Sequence, residues 1–261
     1  PRPPQAMSVN MTEQISQRVA LVTGAAVRVG RAISLAAARA GYDVVAVYRS
    51  SAAHAESLRE EITAMGRRCH TLSADLADPV ASEVVVSTVQ AEFGRLDLLV
   101  NSAASFDSRD LLDVDADNWD RVMALNARAP HLLVRAAADL LRTSRGSVVN
   151  ITDLSAFQPW TEYPAHSVAK AALAHLTRLQ ARALSPEIRV NGIAPGAVLP
   201  PDDWPEDRRT ALAQTAPLKR IGSPEDVAQA VLFFAKAEFV TGQILAVDGG
   251  RLLGPAGPPV S

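Results

Sequence analysis

One join restricts this chain more than any other feature. An apolar run, Val19–Val22, passes directly into Thr23-Gly24-Ala25-Ala26-Val27-Arg28-Val29-Gly30, and an amphipathic stretch of helical length begins near Arg31. A strand leaving through a glycine turn into a helix is the opening unit of a parallel sheet, because the helix is the right-handed crossover to the next strand. Gly24 permits the sharp exit and Gly30 lets the helix pack close. The helix N-terminus then offers backbone amides to a pyrophosphate.

The same rhythm continues along the chain. Strands are expected at Val19–Val22, Asp43–Val47, Arg68–Ser73, Leu96–Val100, Ser147–Ile151, Ile188–Ile193 and Gln243–Val247. Helices are expected near Arg31–Ala40, Ala53–Met65, Ala81–Phe93, Trp119–Leu141, Tyr163–Leu184 and Pro224–Phe234. Gly41, Gly66 and Gly94 each follow a helix, where a left-handed cap suits glycine. This predicts an α/β protein with a single-domain Rossmann fold, a doubly wound seven-stranded parallel sheet flanked by helices. Residues 1–17 read as a loose arm or non-native remnant, 18–253 as the folded domain and 254–261 as a flexible tail. The segment from about Ala197 to Pro217 breaks the rhythm with Pro200-Pro201-Asp202-Asp203-Trp204-Pro205. It lies beyond a strand's carboxyl end, where open parallel sheets bind ligands.

Composition narrows the partners. A formal net charge of -2 and no run of basic residues argue against nucleic acid or an anionic membrane surface. No apolar stretch approaches the roughly 20 residues of a spanning helix, and Cys69 has no second cysteine to pair with. A cytoplasmic protein acting on a small molecule is the expectation. His54, His70, His131 and His175 are scattered without metal-ligand spacing, so no metal is expected. Cys69 reads as a small packing residue.

After the second strand, where NAD-selective dinucleotide folds commonly carry an Asp or Glu, stands Tyr48-Arg49-Ser50-Ser51. With no acid there, Arg49 and the Ser50 hydroxyl suit a 2′-phosphate, and Arg28 adds a guanidinium for phosphate oxygens. The cofactor expected is therefore NADPH or NADP+.

The Thr23–Gly30 turn resembles the TGxxxGxG fingerprint of the short-chain dehydrogenase/reductase family, with Arg28 at the middle glycine, a variant similar to the family's pteridine reductase branch. The resemblance extends over roughly Arg18 to Leu253. It implies that Val29 joins the phosphate turn and that Asp75-Leu76 meets the adenine. Asn101-Ser102-Ala103-Ala104, a variant of the family's NNAG turn, would lie along the cofactor, and Pro195-Gly196 would lie near the nicotinamide.

At the reaction end the family carries Tyr-x-x-x-Lys, a Ser thirteen residues earlier and an Asn on the preceding helix. Lys170 and Asn126 match, but His166 stands at the Tyr position and Asp153 at the Ser position. Four-residue spacing places His166 and Lys170 on one helix face, and Tyr163 lies one turn earlier. Asp153, Phe106 and the Val198-Leu199-Pro200-Pro201-Asp202-Asp203 loop resemble the pteridine reductase branch, in which an aromatic platform stacks a flat pterin. The implied substrate residues are Phe106, Asp153, Tyr163 and His166.

A free imidazole titrates near ~6.5, so His166 donates a proton only where Asp153 stabilises the imidazolium more than Lys170 opposes it. Three readings stand together. The first is an NADPH-dependent reductase of a pterin-like substrate, with Asp153, His166, Lys170 and Asn126 as its catalytic set. The second is an NADP-binding protein with little turnover, and the third a reductase of a non-pterin carbonyl compound. Trp160 and Trp204 border the expected pocket. The two longest helices carry apolar residues on more than one face, and the resemblance implies that they form the dimer contact of a homotetramer, completed by the segment around Thr241–Gly250.

Overall fold

Period-two alternation along the central strands divides their side chains between two cores. Seven strands, β1 (Val19–Thr23), β2 (Asp43–Tyr48), β3 (Cys69–Ser73), β4 (Leu98–Asn101), β5 (Ser147–Ile151), β6 (Arg189–Pro195) and β7 (Ile244–Val247), pair in the order β3-β2-β1-β4-β5-β6-β7. Every pairing is parallel. The computed structural model describes residues 17–201 and 203–254; the arm and tail read from the sequence lie, but for Gln17 and Gly254, outside the described residues.

One sheet face buries Ala20, Val22, Val44, Ala46, Leu98 and Val100. It is covered by Ile33 and Ala37 of α1 (Arg28–Arg39), by Leu58 and Ile62 of α2 (Ala52–Ala64), and by Val227, Val231 and Phe234 of α8 (Pro224–Lys236). The other face buries Val19, Leu21, Val45, Val47 and Leu99. Val85 and Val89 of α3 (Ala81–Phe93) cover it together with Leu133, Ala137 and Leu141 of α5 (Ala129–Ser144). Because both faces are covered, Val19–Val22 of β1 and Val44–Val47 of β2 read in sequence as unbroken apolar runs.

Chain direction opens a crevice. From β1 the chain turns through α1 to β2 on one side, and from β3 it crosses through α3 to β4 on β1's other side. The loops leaving β1 and β4 therefore diverge at the carboxyl edge, the place where doubly wound sheets bind ligands.

Three expectations require correction. The helix expected over Trp119–Leu141 consists of α4 (Ala116–Met123), a π-helical turn (Ala124–Arg128) and α5. Pro130 has no N–H for the helical ladder, and the wider turn accommodates the missing bond. Tyr163 does not belong to α6 (Pro164–Leu184): it caps the helix with φ −141°, because a residue preceding proline is driven out of the helical region. The first helix begins at Arg28, whose φ of +52° is left-handed, the conformation that makes glycine the cheaper residue there.

The interruption after β6 carries α7 (Glu206–Gln214). Cys69 is partly buried, and burial pushes its thiol up to about 11, which suits packing and not nucleophilic chemistry. Among the described residues no helix is long and apolar enough to cross a membrane, and no group of three His, Cys, Asp or Glu side chains is placed to hold a metal ion.

Candidate active site

The β1 and β4 ends are clasped by one hydroxyl. Thr23 Oγ1 accepts the amides of Ser102 and Ala103, each at 3.0 Å. Gly24, at φ +63°, lies so close to this loop that a Cβ would stand 3.0 Å from Ala103 Cα. A Cβ on Gly30 would meet Gly24 O at 2.0 Å. Only bare backbone allows strand, turn and helix to approach this closely.

A cavity of about 1220 Å³ opens beyond this clasp, larger than the roughly 300–1000 Å³ of most small-molecule pockets and roomy enough for a dinucleotide with a second ligand. Gly24, Arg28, Val29, Gly30, Tyr48, Arg49, Ser50, Leu76, Ser102, Ala103, Pro195 and Gly196 all line it. Among the described residues no side chain caps the N-terminus of α1, whose first residues line the cavity, so its amides are left for an anion. The cradle therefore fits a dinucleotide.

Two residues expected at the cofactor stand elsewhere. Asp75 is not on the wall; its Oδ1 accepts the Ala77 amide and shapes the turn after β3. Asn101 is buried beneath the wall, donating to Asn150 Oδ1 at 2.8 Å, and Asn150 donates to Thr177 Oγ1 at 2.9 Å. Arg28 does line the cavity, but its Nη2 donates to Leu199 O at 2.7 Å and so reaches across to the loop after β6.

At the other end, Asp153, His166 and Lys170 share the wall with Phe106 and Tyr163. Asp153 caps a short turn after β5, with its Oδ1 accepting the Ser155 amide, which leaves Oδ2 3.8 Å from His166 Nε2. His166 Nδ1 lies 2.9 Å from Ser105 O, and a carbonyl oxygen only accepts, so Nδ1 carries a proton. In the neutral ring Nε2 is then a bare acceptor facing a carboxylate, buried and, among the described residues, without a hydrogen-bond partner. Protonating it converts that repulsion into an ion pair.

Ser105, which sequence reasoning missed, is the hub of this end: Asn126 Nδ2 donates to its Oγ at 3.0 Å and also to Val122 O at 3.0 Å. Asn126 does not reach the cavity wall. It sits in the π-helical turn and acts on the site through Ser105.

Lys170 donates to Ile151 O at 2.8 Å, and burial pushes its ammonium down to about 8 while Asp153 pulls it up. A folded value below the unfolded one means the burial penalty is fully present below pH 8 and disappears as pH rises to the ordinary 10.5. Lys170→Met is therefore expected to stabilise the ligand-free protein by about 1–3 kcal/mol at pH 7, after the lost hydrogen bond is offset. Urea midpoints at pH 7 and pH 10 check this, because the gain must shrink at the higher pH.

Phe106 and Tyr163 stack on each other, with ring centroids 4.1 Å apart, and the His166 ring meets Phe106 edge-on at 4.7 Å. One face of the expected platform is thus covered by Tyr163. Trp160 and Trp204 also line the cavity.

A nicotinamide-type cradle beside an ionisable trio defines an oxidoreductase site, and comparison with known proteins agrees. Residues 24–251 match the family model described as enoyl-(acyl carrier protein) reductase. An uncharacterized oxidoreductase of Mycobacterium tuberculosis (strain CDC 1551 / Oshkosh) is 37% identical over 245 residues, covering 91% of this chain and 93% of the relative. The 2-dehydro-3-deoxy-D-gluconate 5-dehydrogenase of Dickeya dadantii (strain 3937) is 31% identical, covering 92% and 98%. The structure of a blue fluorescent protein from a metagenomic library, in complex with NADPH, superposes with a TM-score of 0.83 at 33% identity, covering 90% of this chain and 97% of that one. The chain belongs to the short-chain dehydrogenase/reductase family. Its cofactor is a nicotinamide dinucleotide, NAD(P).

Proposed function

We propose that this protein is an NADPH-dependent reductase of a small, non-pterin carbonyl compound. The observation that carries the reading is the buried, unpartnered His166 Nε2, set 3.8 Å from Asp153 Oδ2 on the wall shared with the cofactor cradle. When bound, the nicotinamide supplies a hydride to the carbonyl carbon. His166, as the imidazolium, gives its Nε2 proton to the carbonyl oxygen and leaves an alcohol. Asp153 holds the imidazolium charge, and the Ser105 carbonyl fixes the ring with Nε2 turned toward Asp153. Lys170, on the same wall, would bind the cofactor's ribose, and Asn126 steadies Ser105.

Arg28, Arg49 and Ser50 at the cradle favour a 2′-phosphate, and hence NADP over NAD. The matched 2-dehydro-3-deoxy-D-gluconate 5-dehydrogenase supports carbonyl–alcohol chemistry. One observation favours the pterin reading as a second choice: the Phe106 side chain remains 55% exposed although Tyr163 covers one of its faces, leaving surface for a flat ring. Exposed Val168 and Leu179 on α6 support a homotetramer as the assembly.

The test is loss of the reduced nicotinamide absorbance with a panel of oxo acids, ketones, aldehydes and a dihydropterin. Consumption with carbonyls, at least about tenfold faster with NADPH than with NADH, is expected. Consumption with the dihydropterin alone selects the second reading. Tight NADPH binding with no consumption makes this a binding protein and defeats both.

A further inference from the structure

The loop after β6 brings a cation to the cavity mouth. Arg208 of α7 stacks on Trp204, its guanidinium carbon 3.6 Å from the ring centroid, and both residues line the cavity that holds His166. Leu212, one turn further along α7, lines it too. The loop is tied down by its own backbone: Arg28 Nη2 donates to Leu199 O at 2.7 Å, and Arg209 donates to Pro201 O at 2.9 Å and to Trp204 O at 3.2 Å.

A guanidinium lying on an indole has one face covered, while its N–H groups point outward in the ring plane. That in-plane fork is what a carboxylate meets with two parallel hydrogen bonds. Among the described residues no carboxylate pairs with the Arg208 side chain; Asp207 Oδ1 accepts its backbone amide instead.

The charges on the cavity wall point the same way. Among the described residues its cations are Arg28, Arg49, Lys170, Arg208 and Arg251, against the acids Asp153 and Glu162. Arg28 and Arg49 lie at the cofactor cradle, and Asp153 faces His166. Arg251 has an acid near it in the chain, Asp248, but both Asp248 oxygens accept backbone amides, from Gly250 and Leu252 at 2.8 Å each. Among the described residues that leaves Glu162 against Arg208 and Arg251.

We infer that the carbonyl substrate carries a carboxylate, and that Arg208, held on Trp204, is the residue that selects it. The inference rests on the proposed reductase reading, yet binding tests it apart from turnover. The probes are 3-, 4- and 5-oxo carboxylic acids, each paired with its methyl ester, titrated calorimetrically into the NADP+-loaded protein.

The acids are expected to bind at least about tenfold more tightly than their esters, in line with a charge-assisted bidentate contact. Arg208→Gln erases that ratio, and Arg208→Lys restores part of it. A merely structural role for Arg208 would weaken acid and ester alike. Equal affinity for acid and ester in the wild type, including none for either, overturns the inference. So does a ratio that survives Arg208→Gln. Preference for acids without NADPH consumption sinks the reductase reading and leaves the carboxylate site standing; equal consumption of acids and esters does the reverse.

Discussion

Gly30→Ala is expected to abolish NADPH binding and to destabilise the fold by about 3 kcal/mol or more. The new Cβ would stand 2.0 Å from Gly24 O, 2.7 Å from Gly24 C and 3.2 Å from Ala25 Cα. All three are backbone atoms, and none can rotate away as a side chain would. Gly24 cannot retreat, because it already lies against the Ser102–Ala103 backbone that Thr23 clasps. The strain must therefore separate α1 from β1 and pull its amides out of the cavity. Gly66→Ala is the control: its φ is +75° but nothing lies within 4 Å, so it should cost only about 1–2 kcal/mol and leave cofactor binding intact. Denaturant midpoints and NADPH fluorescence titrations measure both, and a Gly30→Ala protein with wild-type values would refute this account of the cradle.

His166→Gln is expected to lower the rate of carbonyl reduction by about 10²–10⁴, while NADPH affinity stays within about twofold. Glutamine can still donate to Ser105 O, so the wall should hold, but it has no proton to give to an alkoxide. The pH profile separates loss of an acid from loss of shape. In the reductive direction the active form is the imidazolium, so the wild-type rate should fall as rising pH removes the proton that His166 donates. That limb should be absent in His166→Gln. A profile with the same limb in both proteins would assign the proton to another group.

The sheet was legible in sequence because a strand buried on both faces has a simple signature, and Val19–Val22, Asp43–Val47 and Ser147–Ile151 all carry it. The glycine turn was legible because its function depends on missing atoms. His166 and Lys170 share the cavity wall as their four-residue spacing requires.

What escaped the sequence depends on contacts between distant segments. Ser105 meets His166 through a carbonyl oxygen, which every residue has, so its identity gave no sign of that bond to a residue 61 positions away. The π-helical turn at Asn126 is invisible to a periodicity of 3.6, although Pro130 was a usable signal that the ladder must change there. Pro164 likewise marked Tyr163 as a cap and not a member of the helix. Arg28 lines the cavity at its place in the turn, but its bond to Leu199 O depends on which loop passes nearby, and no local signal in the sequence told of it.

The crevice between β1 and β4 owes its existence to the order in which the chain visits the strands. No particular side chain makes it. The two ends of the cavity are consequently free to diverge at different rates over evolutionary time: the turn at Gly24–Gly30 is held by backbone collisions, whereas the segment carrying Trp204 and Arg208 hangs from the sheet's rim and can be exchanged without closing the gap. A lineage built on this plan can inherit its redox partner unchanged and acquire a new metabolite by rewriting about twenty residues.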